Sequence, residues 1–407
     1  MSDYLPPEVI GEILLGLPAK SVLRFRSVCK TWYSLISNSR FANAYLARSN
    51  QRPSPYFLFG RREHEKVCLS LHSNPAIDSS DFIEFHPPYE KTYLYAHIYE
   101  WSWNEVFQIV GSVNGLICLV DSHGELHEKY YLWNPSINRT VRLPFVRNLL
   151  SAKCNYCHGF GYHAPTNEYK VARIMHFDNT IAMVEICALN GSREWHSFEL
   201  SADFYLQGKA SVFMNGRLHW LAQHYHERED DTWHNFILSF DLGYEIGDEN
   251  IVYHEVPVPK VLEIGDHYSL NWAQIAMLNG LLALHGQYSE GLDRKYDVWV
   301  MKEYGVVETW TKLYSIDFGV RLGRVIGFKK NGEVLILTSN DKDLLLYEPN
   351  SQSIIWDLQK NDISSYFYLD NYIESLVLFD VVDGVYEQEE YDVKVERALK
   401  IRKMHNS

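Results

Sequence analysis

The most informative stretch of this 407-residue chain is GSVNGLICLV, at residues 111–120. Strand-like residues flank the pair Asn114-Gly115, and such a pair predicts a two-residue β-hairpin turn because both turn positions need a positive φ. Asparagines in comparable turns recur along the chain at intervals of 53, 48, 64 and 52 residues. They are Asn114, Asn167, Asn215, Asn279 and Asn331. The spacing predicts a repeated β unit.

A second kind of hairpin lies between these turns. Examples are YYLWNPSINRTVRLP at residues 130–144 and LLLYEPNSQSIIWDLQ at residues 344–359. Each pair of hairpins supplies four strands, and a four-stranded unit that recurs every ~40–50 residues is typical of a propeller blade. One small twisted sheet cannot cover both of its faces, whereas a closed ring gives every sheet two neighbours.

The two ends of the repeat region supply the remaining strands. Five complete units can be recognised, and a hairpin at Tyr56–His72 with a strand at Tyr372–Phe379 would add a sixth by closing the ring. We therefore expect a mainly β protein whose residues 56–382 form a β-propeller with six blades. Seven blades are the alternative, because residues 75–105 are hard to assign, and a sandwich of two packed sheets is the competing architecture.

The N-terminal residues follow a helical period instead. Val9, Ile10, Ile13, Leu14 and Leu17 share one face of a helix, and further short helical patterns follow it. So few residues bury little surface and are only marginally stable alone. Either these helices dock on the β domain, or they present an apolar face to another protein.

Domain limits follow from breaks in these patterns. Residues 1–48 are expected to form a small all-α domain, and the Pro-containing segment 49–55 to be a linker. After the β-propeller, residues 383–407 form a highly charged tail.

The charge is divided unevenly between the domains. The first 48 residues hold six Lys or Arg and three Asp or Glu, and the remainder holds 32 basic and 49 acidic residues, or −17. A domain with this much negative charge repels phosphate backbones and attracts basic proteins. We therefore expect no nucleic acid among its partners. No apolar run approaches the ~20 residues that span a bilayer, and the start lacks the features of a secretory signal. We therefore expect a cytoplasmic or nuclear protein with reduced cysteines and no membrane contact.

Few residues match the sequence pattern of a catalytic, haem or metal site. The stretch Cys154–His158 matches the C-x-x-C-H pattern of covalent haem attachment, but no second C-x-x-C pair follows that would complete a zinc site. The histidines His219, His224, His226 and His234 do not match a zinc-enzyme motif. We therefore predict a binding protein without cofactor, metal or catalytic residues. A propeller enzyme or small-molecule binder with its site at the mouth of the channel is the alternative.

The N-terminal segment closely resembles an F-box, the segment that docks on the adaptor of SCF-type ubiquitin ligases. The matching residues are Leu5-Pro6, Ile13-Leu14, Leu17-Pro18, Lys20-Ser21, Leu23-Arg24-Phe25-Arg26, Val28-Cys29-Lys30, Trp32, Leu35-Ile36 and Phe41. The remainder resembles the F-box-associated, kelch-like domain of plant F-box proteins. The similar stretches are GSVNGLICL, LWNPSINRTVRLP, GFGYHAPTNEYKVARI, FMNGRLHWLA and YIESLV.

This resemblance implies a non-catalytic substrate-recognition subunit. Its F-box would dock on a Skp-type adaptor and, through it, on cullin and RING subunits, while the β domain holds a target protein for ubiquitination and degradation. A self-incompatibility-type F-box protein that recognises basic ribonucleases is a narrower alternative. For Ile10, Leu14 and Val28 a place in the helical core is the alternative to adaptor contact. The adaptor-binding residues that the resemblance implies are Leu5, Pro6, Ile10, Ile13, Leu14, Leu17, Pro18, Lys20, Leu23, Val28, Cys29 and Trp32.

Overall fold

The computed structural model has two parts, a small helical domain followed by a larger β domain. This agrees with the predicted fold class. The described residues are 5–51, 56–63, 66–73, 82–85, 107–121, 127–147, 155–178, 181–189, 193–201, 203–226, 232–244, 253–262, 264–265, 273–290, 293–317, 322–329, 331–338, 343–359 and 367–377.

Four helices make up the described part of the N-terminal domain. They are α1 Pro7–Leu15, α2 Ala19–Phe25, α3 Lys30–Ile36 and α4 Ser39–Gln51. Proline opens α1, where its missing N–H removes no helical hydrogen bond. The fourth helix runs to Gln51, past the predicted domain end at residue 48. Residues 52–55 of the predicted linker and the predicted tail 383–407 lie outside the described residues.

Strands account for most of the β domain. In chain order they are β1 Tyr56–Glu63, β2 Lys66–Ser73, β3 Phe82–Phe85, β4 Phe107–Val113, β5 Leu116–Asp121, β6 His127–Asn134, β7 Arg139–Arg142, β8 Val146–Arg147, β9 Asn155–His163, β10 Glu168–Asp178, β11 Ile181–Ala188, β12 Trp195–Ser201, β13 Phe204–Met214, β14 Arg217–His226, β15 Thr232–Asp241, β16 Tyr253–Pro257, β17 Ile264–Gly265, β18 Gln274–Leu278, β19 Leu281–Glu290, β20 Asp293–Met301, β21 Trp310–Ile316, β22 Leu322–Phe328, β23 Val334–Thr338, β24 Asp343–Glu348, β25 Ser353–Gln359 and β26 Phe367–Tyr372. Two short 3₁₀ helices lie at Lys260–Leu262 and Val307–Thr309.

The described strands form five hydrogen-bonded sheets arranged as a propeller. Antiparallel meanders of four make up the sheets β4–β7, β18–β21 and β22–β25, and β8 adds to the first of these. The largest sheet has nine strands, because the four-stranded meanders β9–β12 and β13–β16 join through a parallel pairing of Ala210 with His158, and β17 pairs with β15 as the ninth strand. The prediction of six blades, or of seven, is therefore wrong for the described residues. The structure has five sheets, since two of the predicted four-stranded units are continuous with each other.

The fifth sheet closes the ring. Strand β26 pairs antiparallel with β1, from Tyr56 opposite Tyr372 to Arg61 opposite Phe367, in the order β26-β1-β2-β3. It also lies close to β4 and to β22, which belong to two other sheets. The predicted closure is confirmed, but its strand ends at Tyr372 instead of beginning there.

Three of the five predicted asparagine turns show the expected pair of positive φ angles. Asn114, Asn215 and Asn279 have φ angles of 52–53°, and the glycine after each has φ between 75° and 79°. Two successive positive φ angles define the type I′ turn, whose twist matches that of the paired strands. The turns therefore fix the register of β4 with β5, of β13 with β14 and of β18 with β19.

Apolar side chains fill the spaces between neighbouring four-stranded meanders. One cluster contains Leu132 of β6, Phe160 of β9 and Val171 of β10, and another contains Trp220 of β14 with Ile174 of β10. Each meander is thus covered by the next, as the propeller architecture requires. None of the helices that the structure describes is long and apolar enough to cross a lipid bilayer.

Candidate functional site

The helical domain has one buried apolar face. Leu14, Val22 and Ile36 are at most 2% exposed, and Phe41 and Tyr45 of α4 close this core from the other side. Leu376, which follows β26, belongs to the same cluster. The helical domain is therefore docked on the propeller, as one of the two sequence-based alternatives proposed.

The same domain also carries large apolar side chains that are open to solvent. Its members are the exposed large apolar residues of the described helical domain, and we call them the apolar patch. Val9 and Ile13 stand one turn apart on α1, so they lie on the same side of that helix. An exposed group of apolar side chains is typical of a protein interaction surface. The patch consists of Leu5 (52% exposed), Val9 (42%), Ile13 (51%), Val28 (60%) and Tyr33 (52%).

The structure places the implied adaptor-binding residues at three depths. Leu14 is the buried one, so for this residue the core alternative describes its position in the structure. Val28, for which the core was also considered, lies at the surface. The exposed residues are Leu5, Pro6, Ile13, Pro18, Lys20, Val28 and Cys29, and the half-buried ones are Ile10, Leu17, Leu23 and Trp32.

Some of these half-buried residues have a supporting role within the domain. The Tyr45 hydroxyl donates a hydrogen bond to the carbonyl of Leu17 at 2.9 Å, and Trp32 packs edge-on against Phe25 with ring centroids 5.4 Å apart. These contacts fix the loop after α1 and the start of α3. They therefore hold the neighbouring exposed side chains in place.

Val9 and Tyr33 were not among the implied adaptor-binding residues. Val9 stands four residues before Ile13 on α1, so helical periodicity alone could have included it. Tyr33 follows Trp32, and nothing in the periodicity marks it as exposed. Its ring lies 4.3 Å beneath the guanidinium carbon of Arg26, a cation–π contact that holds the aromatic face against α2.

The described part of the propeller contains a buried cluster of charged residues around Arg173. Arg173 is 0% exposed and donates hydrogen bonds to the carboxylates of Glu128 at 3.0 Å and Glu185 at 2.8 Å. The Tyr130 hydroxyl donates to Glu128 at 2.8 Å and lies 2.9 Å from Nδ1 of His158. Burial alone would raise the pKa of Glu128, but His158 and Arg173 hold that pKa below its ordinary value. The cluster links β6 with β9, β10 and β11.

The candidate metal-binding histidines are dispersed. His219 is buried and bonds the Tyr304 hydroxyl at 2.6 Å, and burial lowers its pKa to about 4. His224 and His234 are opposite each other on β14 and β15, and Nε2 of His224 lies 2.9 Å from Glu255. The side chain of His226 is outside the described residues. Within the described part of the chain, no group of three His, Cys, Asp or Glu could hold a metal ion.

The C-x-x-C-H stretch enters β9. Cys154 is outside the described residues, whereas Cys157 and His158 are each 3% exposed. His158 contacts Tyr130 as described above, and Cys157 packs in the apolar core with Trp220. Both residues therefore contribute to the packing between neighbouring meanders.

Comparison with known proteins matches both parts of the chain. Residues 3–43 match the F-box domain, and residues 73–379 match the F-box associated beta propeller domain. An F-box protein of Arabidopsis thaliana is 29% identical over 387 residues, which cover 85% of this chain and 83% of the relative.

Two further relatives come from the same plant. An F-box/kelch-repeat protein is 29% identical over 332 residues, covering 77% of this chain and 79% of its own length. The F-box protein CPR1 is 27% identical over 410 residues, covering 93% of this chain and 89% of its own length. The likeness therefore extends over both domains in the same order.

Proposed function

Because the chain belongs to the F-box proteins that carry an F-box-associated β-propeller domain, we propose that it is the substrate-recognition subunit of an SCF-type ubiquitin ligase. In this role the helical domain binds a Skp-type adaptor and, through it, the cullin and RING subunits. The propeller binds a target protein. The chain performs no chemistry itself, but raises the effective concentration of target lysines near the ubiquitin-charged enzyme.

The apolar patch is the observation that carries this proposal. The helical domain is already packed against Leu376, and yet Leu5, Val9 and Ile13 stay about half exposed. Removing apolar surface from water stabilises a complex by roughly 25 cal/mol per Å², so such a patch favours association with an apolar partner surface. We assign adaptor contact to the apolar patch and to its exposed neighbours Pro6, Pro18, Lys20 and Cys29. Leu14 supports the patch from inside the domain.

The proposed target is a basic protein. Residues 49–407 carry 49 acidic and 32 basic residues, and this negative field accelerates the approach of a cationic protein. A basic ribonuclease is one protein of this class. Binding to such a target is expected to weaken as salt is added, because ions screen charge–charge attraction over about 8–10 Å at physiological ionic strength. Salt-independent binding of the captured target would refute the charge argument.

The adaptor assignment is tested by a matched pair of substitutions. Ile13 on α1 and Ile355 on β25 are both isoleucines that are 51% exposed. We expect I13D to abolish co-purification with a Skp-type adaptor, because it introduces a charge into the proposed interface. I355D makes the same chemical change outside it and should leave adaptor binding intact. Equal adaptor binding by the two variants would contradict the assignment.

The same variant serves to find the target. I13D keeps the propeller and its contact with the helical domain, but it should no longer deliver proteins to the ligase. We expect the targets to be the proteins that I13D captures in plant cells and that the intact chain retains only when the proteasome is inhibited. Identical captured sets without proteasome inhibition would count against a role in degradation.

A further inference from the structure

Residues 373–377 contact the helical domain and the propeller at the same time, and we call this segment the strap. It directly follows β26, the strand that closes the ring. Its side chains alternate between the two partners, as those of an extended segment do. Glu374 and Leu376 meet the helical domain, whereas Ser375 and Val377 meet the propeller.

On the helical side, the strap bonds the beginning of α2. The Glu374 carboxylate accepts hydrogen bonds from the backbone N–H of Ala19 at 3.3 Å and from the Tyr45 hydroxyl at 3.4 Å. The residue before α2 is Pro18, which provides no side-chain cap, so Glu374 satisfies an N–H that the helix start leaves unpaired. Leu376 is 2% exposed and completes the apolar core of the helical domain.

On the propeller side, the strap is bound to the end of β6. The Asn134 side-chain amide donates to the carbonyl oxygens of Ser375 at 3.1 Å and Val377 at 2.8 Å, and to the Ser375 hydroxyl at 3.0 Å. Both Asn134 and Ser375 are 0% exposed. Just before the strap, the Tyr372 hydroxyl lies 2.6 Å from that of Ser136 in the β6–β7 turn. Buried hydrogen bonds of this kind are costly to break, because each partner is left unsatisfied.

The strap also lies directly on the β4–β5 turn. A Cβ atom at Gly115 would come within 2.4 Å of the Ile373 carbonyl oxygen and 2.7 Å of the Ser375 hydroxyl. The β4–β5 and β6–β7 turns are the first and third connections of one antiparallel meander, so they lie at the same edge of the sheet. The helical domain is therefore fixed at this edge.

We propose that the strap is a positioning element that holds the helical domain in one orientation on the propeller. This inference rests on the function proposed above. If the helical domain binds the adaptor while the propeller binds the target, the orientation of the two domains determines where the target is held. A freely rotating propeller would spread target lysines over a large volume and lower their effective concentration at the charged enzyme. The strap removes that freedom through contacts on both of its sides.

The test compares two glycines with equal backbone angles. Gly115 and Gly216 both follow an asparagine in a hairpin turn and both have φ of 75°, but a Cβ at Gly216 would meet nothing within 4 Å. G115A and G216A therefore share the same backbone strain, and only G115A displaces the strap. E374A provides a second perturbation, which removes the hydrogen bonds to Ala19 and Tyr45 without leaving an apolar cavity.

The measurement is a spin-label distance in the full chain, with labels carried by unnatural amino acids at the exposed positions Ser34 and Ser351. We expect one narrow distance distribution for the unchanged chain and for G216A, and loss of that narrow distribution in G115A and E374A. A broad distribution in the unchanged chain, or narrow ones in both G115A and E374A, would overturn the proposal.

Adaptor co-purification separates this proposal from the proposed function. The strap variants leave the apolar patch unchanged, so they should retain adaptor binding while the distance distribution broadens. I13D should show the reverse, with a narrow distribution and no adaptor. Failure of I13D to lose the adaptor would refute the adaptor assignment, whereas the distances would still decide the role of the strap.

Discussion

Replacing Arg173 with methionine is expected to lower the free energy of unfolding by about 3 kcal/mol. The Arg173 side chain is 0% exposed and lies between the carboxylates of Glu128 and Glu185. Its loss leaves Glu128, whose side chain is 4% exposed, as a buried charge without that cation. Removing one partner of a buried ion pair costs about 3–5 kcal/mol.

The lower end of that range applies because the two carboxylates keep other stabilisation. The Tyr130 hydroxyl still donates to Glu128 at 2.8 Å, and His158 remains 3.8 Å from the same carboxylate. The side chain of Glu185 is 15% exposed and retains some access to water. The destabilisation therefore comes mainly from the buried Glu128 charge, and adding E128Q to R173M should restore most of the stability.

Urea unfolding followed by tryptophan fluorescence measures the effect, as a shift of the midpoint at an unchanged slope. R48M is the matched control, because Arg48 also pairs with a carboxylate, that of Glu12 at 2.6 Å, but the two side chains are 39% and 69% exposed. Such a pair contributes about 1 kcal/mol or less. The reasoning is refuted if R173M is no less stable than R48M, or if E128Q does not restore stability.

Two further predictions concern packing and pH. G161A should lower the free energy of unfolding by about 1–3 kcal/mol, because its Cβ would lie 2.4 Å from the Leu242 side chain. G11A should raise the free energy of unfolding by up to about 1 kcal/mol, because a Cβ at this helical position meets nothing within 4 Å. Equal urea midpoints of the two variants would contradict this prediction. Burial lowers the pKa of His219 to about 4 and of His285 to about 3, so the unfolded chain, with an ordinary histidine pKa near 6.5, takes up protons that the folded chain does not. Their stabilising contribution is complete above about pH 6.5 and falls with acidification towards pH 4, by up to about 1.4 kcal/mol per pH unit for each histidine. Replacing both with glutamine should flatten the dependence of the urea midpoint on pH between 7 and 5, and an unchanged slope would refute it.

The sequence predicts the hairpins well because their determinants are local. An Asn-Gly pair such as Asn114-Gly115 fixes the turn type, and the turn fixes the register of the strands beside it. Joining of neighbouring meanders is not local. It depends on one pairing between Ala210 and His158, which are distant in sequence, and no turn residue signals it.

The closing strand shows a different limit of sequence reasoning. The stretch YIESLVLF, at residues 372–379, has the apolar character of a strand, and it was predicted as the strand that closes the ring. The structure instead pairs Phe367–Tyr372 with β1, and Leu376 enters the core of the helical domain. Composition indicates that a residue is buried, but not which partner covers it. The same limit applies to Leu14, which is apolar and at helical spacing but lies inside the domain.

The pairing of β26 with β1 has a consequence for biosynthesis. In a nascent chain β1–β3 emerge directly after the helical domain, and β1 has no β26 partner until residues 367–372 have been synthesised. Leu376 follows still later, so the helical domain, although made first, completes its core last. Contacts between such distant residues are slow to form, because a long loop must be closed before they contribute. A premature stop codon before Leu376 would therefore leave the apolar core of the N-terminal helical domain incomplete.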